Sequence, residues 1–428
     1  MKSVDTIQLS RAARIFVLLA AVCGLVFDGF ELGLMPVASL SVSKSLLGDG
    51  YTKELGGDWF ARFTAALMFG AALGGILFGR LGDIVGRSRA LGISILMYSI
   101  FAGLGAYVET QMQMLVLRFL VGLGVGGVWP NAVALATECW PDKSRPTVAG
   151  LMGAALNFGI WLLSQIAKNW HITEDSWRWI FQLSAAPALL GLGVLALLPE
   201  SPAWLASRSS SADDEKRGRA KPMSLSTLFR PPLLRVTLMG ILLGSIPLIG
   251  AWAASKWMIP WADSVTKDVL PGYKATAQGY WAAGAVLGSF MGARVAVWLG
   301  RRVAYAAISI GATALTMLMF LGTAPLAPSF LPIVFCQAFV TTLFFGWLPL
   351  YLPELFPTSA RATGVGISYN TGRFATAIGV FLTGALFTAL GGSYVAVGAV
   401  GSVVYSLGAI AIWFAPDNSQ LETRLGGD

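Results

Sequence analysis

Charge is what this 428-residue chain is short of: Lys, Arg, Asp and Glu together make up 12% of it, about half of the roughly 25% usual in soluble proteins. A water-soluble fold of this size has too much surface to cover with so few charges. Histidine is nearly missing, since His171 stands alone and excludes an imidazole metal cluster. Cysteine is scarce as well. Cys23, Cys139 and Cys336 lie in three separate apolar runs, which excludes a disulfide framework and a thiolate metal site. No Gly-x-x-x-x-Gly-Lys-Ser/Thr segment occurs, so ATP hydrolysis by a phosphate loop is excluded. No nucleophile–base pair or metal set is spelled out either, and the chain does not read as an enzyme. The formal charge of +8 is spread over short loops without forming a basic face, so no nucleic acid partner is expected.

Apolar residues, at 55%, are abundant, with 50 Gly, 24 Phe and 15 Trp. Runs long enough to span hydrocarbon recur near 12–40, 58–80, 88–108, 111–137, 146–168, 178–198, 235–258, 275–298, 302–322, 329–353, 361–389 and 393–415. The first run is too long for a signal-peptide core and lacks a clear cleavage site, so it reads as a span. The long hydrophilic interruption, 207–230, separates a six-span unit at 1–206 from a second at 231–428. Most Lys and Arg fall in loops on the side of the N-terminus, which places both termini in the cytoplasm. The expectation is an all-α integral membrane protein of the plasma or inner membrane: twelve transmembrane helices in two six-helix pseudo-repeated bundles around a central cavity, working as a monomer in the lipid bilayer.

The halves repeat. Glu138-Cys-Trp-Pro141-Asp-Lys-Ser-Arg145-Pro-Thr147 and Glu354-Leu-Phe-Pro357-Thr-Ser-Ala-Arg361-Ala-Thr363 share Glu-x-x-Pro-x-x-x-Arg-x-Thr, and Gly86-Arg87 and Arg80 correspond to Gly300-Arg301 and Arg294. A duplicated unit of this kind places a solute site between the halves, near the middle of the bilayer.

Gly79-Arg80-Leu81-Gly82-Asp83-Ile84-Val85-Gly86-Arg87-Ser88-Arg89 resembles the signature loop between helices 2 and 3 of the major facilitator superfamily. Arg118-Phe119-Leu120-Val121-Gly122-Leu123-Gly124-Val125-Gly126-Gly127 resembles its helix 4 motif. Pro199-Glu200-Ser201-Pro202-Ala203-Trp204-Leu205 is similar to the helix 6 exit of its sugar porters and organic-ion relatives, with Ala203 where Arg is usual. In the second copy of the loop Val297 replaces the repeat of Asp83. Asp28-Gly29-Phe30-Glu31 is similar to the Asp-Gly-x-Asp element of aromatic-acid:proton symporters, with Glu in place of the second Asp. The resemblance covers nearly the whole chain and implies alternating-access transport.

Charged residues inside spans cost about 2.5–3.5 kcal/mol each and usually face a cavity or a partner. Counting about 1.5 Å per residue, Asp28 and Arg118 fall at matching depths and are expected to pair, with Glu31 on the same helical face as Asp28. These three form the candidate proton-coupling group, set against the plainer alternative of a static ion pair. Arg373 falls near mid-span with no carboxylate at its depth in its own half, which suits the negative charge of a solute. Lys256 counts out to the outer interface, where lysine snorkels; a bend at Pro247 and Gly250 would bring it inward. Asn157, Trp161, Gln165, Gln337 and Asn370 complete the candidate substrate-binding set, or else bond helix to helix. Arg80, Asp83, Arg87, Arg89, Glu138, Arg145, Glu354 and Arg361 are the candidate gating residues. They are expected to cross-link the halves when the cavity opens outward and to part when it opens inward.

The expected function is proton-coupled symport of a small organic solute, most readily a carboxylate, with the proton as coupling ion and no other cofactor. A sugar:proton symporter or an exporter of organic cations on the same fold is the alternative.

Overall fold

The computed structural model describes residues 9–140, 145–202, 204–205, 225–231, 233–356 and 361–415. Among these there is no strand. Twelve helices are long and apolar enough to cross a membrane. They are α1 (Arg11–Leu47), α2 (Lys53–Val85), α3 (Arg87–Leu104), α4 (Gln111–Cys139), α5 (Arg145–Asn169), α6 (Arg178–Leu183 and Ala188–Leu197), α7 (Leu233–Ile249 and Met258–Thr266), α8 (Tyr273–Leu299), α9 (Arg301–Leu321), α10 (Phe330–Leu355), α11 (Arg361–Ala389) and α12 (Tyr394–Ala411). The chain is an integral, multi-pass membrane protein. Its bundle presents an apolar exterior, with Leu189, Leu197, Trp298, Ile310 and Ile410 all exposed, a surface suited to lipid.

Local chemistry sets the helix ends. Thr52 caps α2 by accepting from the amide of Leu55 at 3.2 Å. Thr110 and Gln113 form a reciprocal capping box at the start of α4. α1 runs seven residues past its expected end at Leu40, because no residue stops it until Gly48 turns the chain at φ 52°. Much of the expected central loop lies outside the described residues; its last part forms one helical turn, Leu225–Leu228.

An even number of spans brings the start of α1 and the end of α12 to one face, the terminal face; the other is the far face. Within each half the helices touch backbone to backbone. A Cβ on Gly126 of α4 would lie 2.1 Å from the carbonyl oxygen of Ala71 on α2. The second half repeats this contact, since a Cβ on Gly288 of α8 would lie 2.2 Å from that of Phe339 on α10. Small residues at such crossings let the carbonyls of one helix face the next directly.

The two halves meet through α2 against α11 and α5 against α8. Phe69 packs edge-on to Phe374 at 5.3 Å between ring centres, and the Asn157 amide donates to Ser289 Oγ at 2.9 Å. Toward the far face the seam is closed: every residue of α1 from Asp28 to Ser43 is buried. Phe60 of α2 meets Trp257 edge-on, and Trp257 stacks on Phe387.

Candidate functional site

The sequence-expected pairing of Asp28 with Arg118 is not what the helices make. Arg118 Nη1 donates to Glu31 Oε2 at 3.2 Å, and Nη2 donates to the backbone carbonyl of Glu31 at 3.3 Å. Both side chains are fully enclosed, at 1% exposure each. Glu31 stands nearly one turn, about 4.5 Å, closer to the far face than Asp28. α4 enters from that face, so its guanidinium meets the later carboxylate first, and the extra methylene of Glu closes the remaining gap.

Asp28 is left without that partner: it is buried and its Oδ1 has no hydrogen bond. Arg373 is half-buried and reaches out of its own half: Nη1 donates to the carbonyl oxygen of Ala71 on α2 at 3.2 Å, with Tyr369 under the guanidinium at 5.1 Å. Gly75 makes room for this crossing, because a Cβ there would lie 2.6 Å from Asn370 Oδ1 and 3.3 Å from Arg373 Nη1. What Arg373 takes from the other half is thus a backbone carbonyl oxygen.

Lys256 does not snorkel. After Pro247, α7 widens into a π turn at Gly250–Ala254 and then tightens into a 3-10 turn at Ser255–Trp257. Proline withholds one amide from the helical ladder, and π and 3-10 turns absorb the mismatch. The break turns Lys256 inward, where it is 1% exposed. Its Nζ lies 3.3 Å from the ring centre of Trp281 and 5.7 Å from that of Trp252, with no hydrogen-bond partner.

The amides are mostly committed to helix contacts. Asn157 joins α5 to α8 as above. Gln337 donates to Ser255 Oγ at 2.6 Å and to Thr316 Oγ1 at 3.0 Å, tying α10 to α7 and α9. Asn370 donates to the carbonyl of Gly366 within its own helix at 3.0 Å. Gln165 lies beside Gly279 of α8, and Trp161 stacks on Phe158 at 5.5 Å. These contacts match the helix-to-helix reading of the amides more closely than a shared cavity wall.

A far-face cluster escaped the sequence reading. Lys274 of α8 donates to Asp263 Oδ2 of α7 at 3.0 Å and to Ser41 Oγ of α1 at 3.2 Å. It borders a cavity of about 630 Å³ on which Lys44, ion-paired with Glu174, also opens. Lys274 falls one residue before the expected span at 275–298, and only the fold of α7 beside α8 brings Asp263 to it.

At the terminal face, ion pairs between described residues each stay within one half. Arg87 pairs with Asp83 at 2.5 Å and with Glu138 at 3.6 Å. Arg301 takes Glu354 through Nε at 3.1 Å and Nη2 at 2.9 Å. The repeated glutamates thus meet the arginines of the repeated loops, one pair per half. Glu200 accepts from the amides of Arg87 and Ser88 at 2.8 and 3.2 Å and so caps α3. Gly86, at φ 112°, gives it access, since a Cβ there would lie 2.1 Å from Glu200 Oε2. Ser201 Oγ donates to Glu138 at 2.5 Å, and Trp204 Nε1 to the carbonyl of Asp83 at 2.9 Å. Arg80 and Arg89 are exposed. The side chains of Arg145 and Arg361, and all of Ala203, lie outside the described residues.

The family model described as "Sugar (and other) transporter" matches residues 16–222. A cis,cis-muconate transport protein of Acinetobacter baylyi is 30% identical over 377 residues, covering 88% of this chain and 87% of that protein. A benzoate transport protein of the same organism is 24% identical over 398 residues, 85% and 81% of the two chains. The fold is shared with the xylose transporter of E. coli in an inward-open conformation, at a TM-score of 0.73 and 17% identity over 96% of this chain and 99% of that one. Identity of 30% over most of both chains is a relationship of family, and this chain belongs to the major facilitator superfamily, among its sugar (and other) transporters.

Proposed function

We propose that this transporter couples protons to the symport of a small organic anion by alternating access. The observation that carries the reading is the buried charge at the seam: Asp28 of one half is enclosed with Oδ1 unpartnered, while Arg373 of the other half reaches across to the Ala71 carbonyl of α2. A buried carboxyl group is held ionised only while a cation stays beside it, and moving the cation away favours protonation. Rocking the halves changes the separation of the two, so proton occupancy of Asp28 follows the conformation. The Glu31–Arg118 pair stays within the N-terminal half and holds α1 to α4 through that movement. The muconate and benzoate relatives carry solutes that are organic anions, which supports the substrate class. Two of the amides a sugar would need, Asn157 and Gln337, are tied up between helices, which weighs against the sugar alternative.

In this reading the terminal face lies in the cytoplasm of a plasma or inner membrane. The far face is sealed by Phe60, Trp257 and Phe387, and the ion pairs among the described gating residues at the terminal face each stay within one half, as suits an inward-facing state. They are proposed to bridge the halves in the outward-facing state.

The test is internal pH in proteoliposomes challenged with carboxylates, sugars and amines, using wild type and Asp28→Asn. Acidification evoked by carboxylates alone and lost in the variant is expected. A sugar-evoked signal moves the protein to sugar symport. Carboxylate flux without proton movement, unchanged in Asp28→Asn, sinks the coupling.

A further inference from the structure

The other cations along the seam each have a polar partner. Arg118 has Glu31 and Lys274 has Asp263; Arg373, half-buried, donates to the carbonyl oxygen of Ala71. Lys256 has none: among the described residues its Nζ touches only aromatic faces. A lone ammonium enclosed by protein is costly unless an anion meets it.

Buried polar groups without partners lie on the helix it faces. One turn before Trp281, on the same face of α8, Gln278 is fully buried and neither its Oε1 nor its Nε2 has a partner. Trp281 Nε1 is buried without a partner as well. Gln278 also borders the other half, its Nε2 lying 3.2 Å from the place where a Cβ on Gly33 of α1 would stand. Three donor groups without partners therefore lie at the break in α7 and along one face of the adjoining turn of α8: an ammonium, an indole and an amide. A carboxylate, with two oxygens and about four lone-pair sites, satisfies all of them and neutralises the ammonium. A neutral hydroxyl compound leaves the charge unmet. Irregular backbone at membrane depth is tolerated where it is buried in protein or lines a cavity, and broken helices of transporters use it to hold solutes.

We propose that Lys256, presented by the break in α7 against Trp281 and Gln278 of α8, takes the carboxylate of the transported solute. Arg373 then serves Asp28 and not the solute. The proposal rests on the organic-anion reading, and its test separates the two. In the empty protein the ammonium rests on Trp281; the solute's carboxylate replaces that cation–π contact with a charge-assisted hydrogen bond, and the indole turns its N–H to the same anion.

The experiment is ligand-induced thermal stabilisation of the purified full chain in lipid nanodiscs, with benzoate, cis,cis-muconate and the uncharged benzamide as probes. Wild type is expected to respond to at least one carboxylate and not to benzamide. Lys256→Met is expected to weaken that response at least tenfold while the empty variant melts no lower than wild type, because an unmatched charge has been removed. Lys256→Arg is expected to stay within a few-fold of wild type. Wild-type affinity in Lys256→Met overturns the assignment and leaves organic-anion transport standing. If Lys256→Met melts lower than wild type, the lysine is a structural group and the assignment is equally overturned. A wild type that answers to benzamide as well as to benzoate, or to neither carboxylate, removes the organic-anion reading and this site with it.

Discussion

The two halves of the molecule agree at their terminal ends and differ in the middle. At the ends, Arg87 with Glu138 and Arg301 with Glu354 are the same pair made twice, from the same repeated motifs. In the middle, the N-terminal half buries two carboxylates, Asp28 and Glu31, against Arg118. The C-terminal half buries Lys256 there without a carboxylate among the described residues and brings half-buried Arg373 to the seam, while its ion pair Lys274–Asp263 lies toward the far face. Duplication preserved what each bundle needs at its ends, whereas the buried seam became complementary: one half offers an acid, the other a base. A proton and an anion entering between them would meet one group each.

Breaking the enclosed pair of the N-terminal half should cost most. Arg118→Gln leaves Glu31 buried without its cation, and a loss of about 3–5 kcal/mol is expected, read as a collapse of the melting temperature. The double variant Glu31→Gln/Arg118→Gln should recover most of it. A double variant as unstable as the single one would mean that the residues, and not their charges, hold α1 to α4.

The corresponding break in the other half should be milder. Asp263→Asn strands Lys274, but that lysine borders a far-face cavity that can admit water, so about 1–3 kcal/mol is expected. A penalty equal to that of Arg118→Gln would show that the far face is as dry as the seam.

At the terminal face the two halves should separate. Glu200→Ala removes the cap of α3 and should cost about 1 kcal/mol. Glu354→Ala breaks an ion pair whose glutamate is 42% exposed, and about 0–1 kcal/mol is expected. Urea unfolding in mixed micelles compares them; a larger loss for Glu354→Ala would reverse the order.

The smallest effect belongs to the bond between halves. Asn157→Ala should lose about 0.6 kcal/mol, the average for one interhelical hydrogen bond in a membrane protein. A large loss of binding with stability unchanged would instead return Asn157 to the substrate-binding set.

Much of the fold was legible before any coordinates. Span length against bilayer thickness predicts twelve helices, and the repeated Glu-x-x-Pro-x-x-x-Arg-x-Thr predicts two matched bundles. The site was legible only in part. Counting residues along straight helices found that Asp28, Glu31, Arg118 and Arg373 lie deep, but it paired Arg118 with the wrong acid. The residues lie within about one turn of each other, and depth alone carries no information about which face a guanidinium leaves from. The same count put Lys256 at the interface, because a rise of about 1.5 Å per residue does not hold through a π turn followed by a 3-10 turn.

Composition and periodicity, then, determined by themselves that this chain lies in a membrane and that it is built twice, since hydropathy and span length are properties of single segments. Which acid meets which base was decided only by the tertiary structure. Glu31 and Arg118 belong to different helices, Lys274 needs α7 folded beside α8, and the isolation of Lys256 is a fact about everything packed around it. Electrostatic pairing depends on distances between segments, and those distances exist only once the helices are packed.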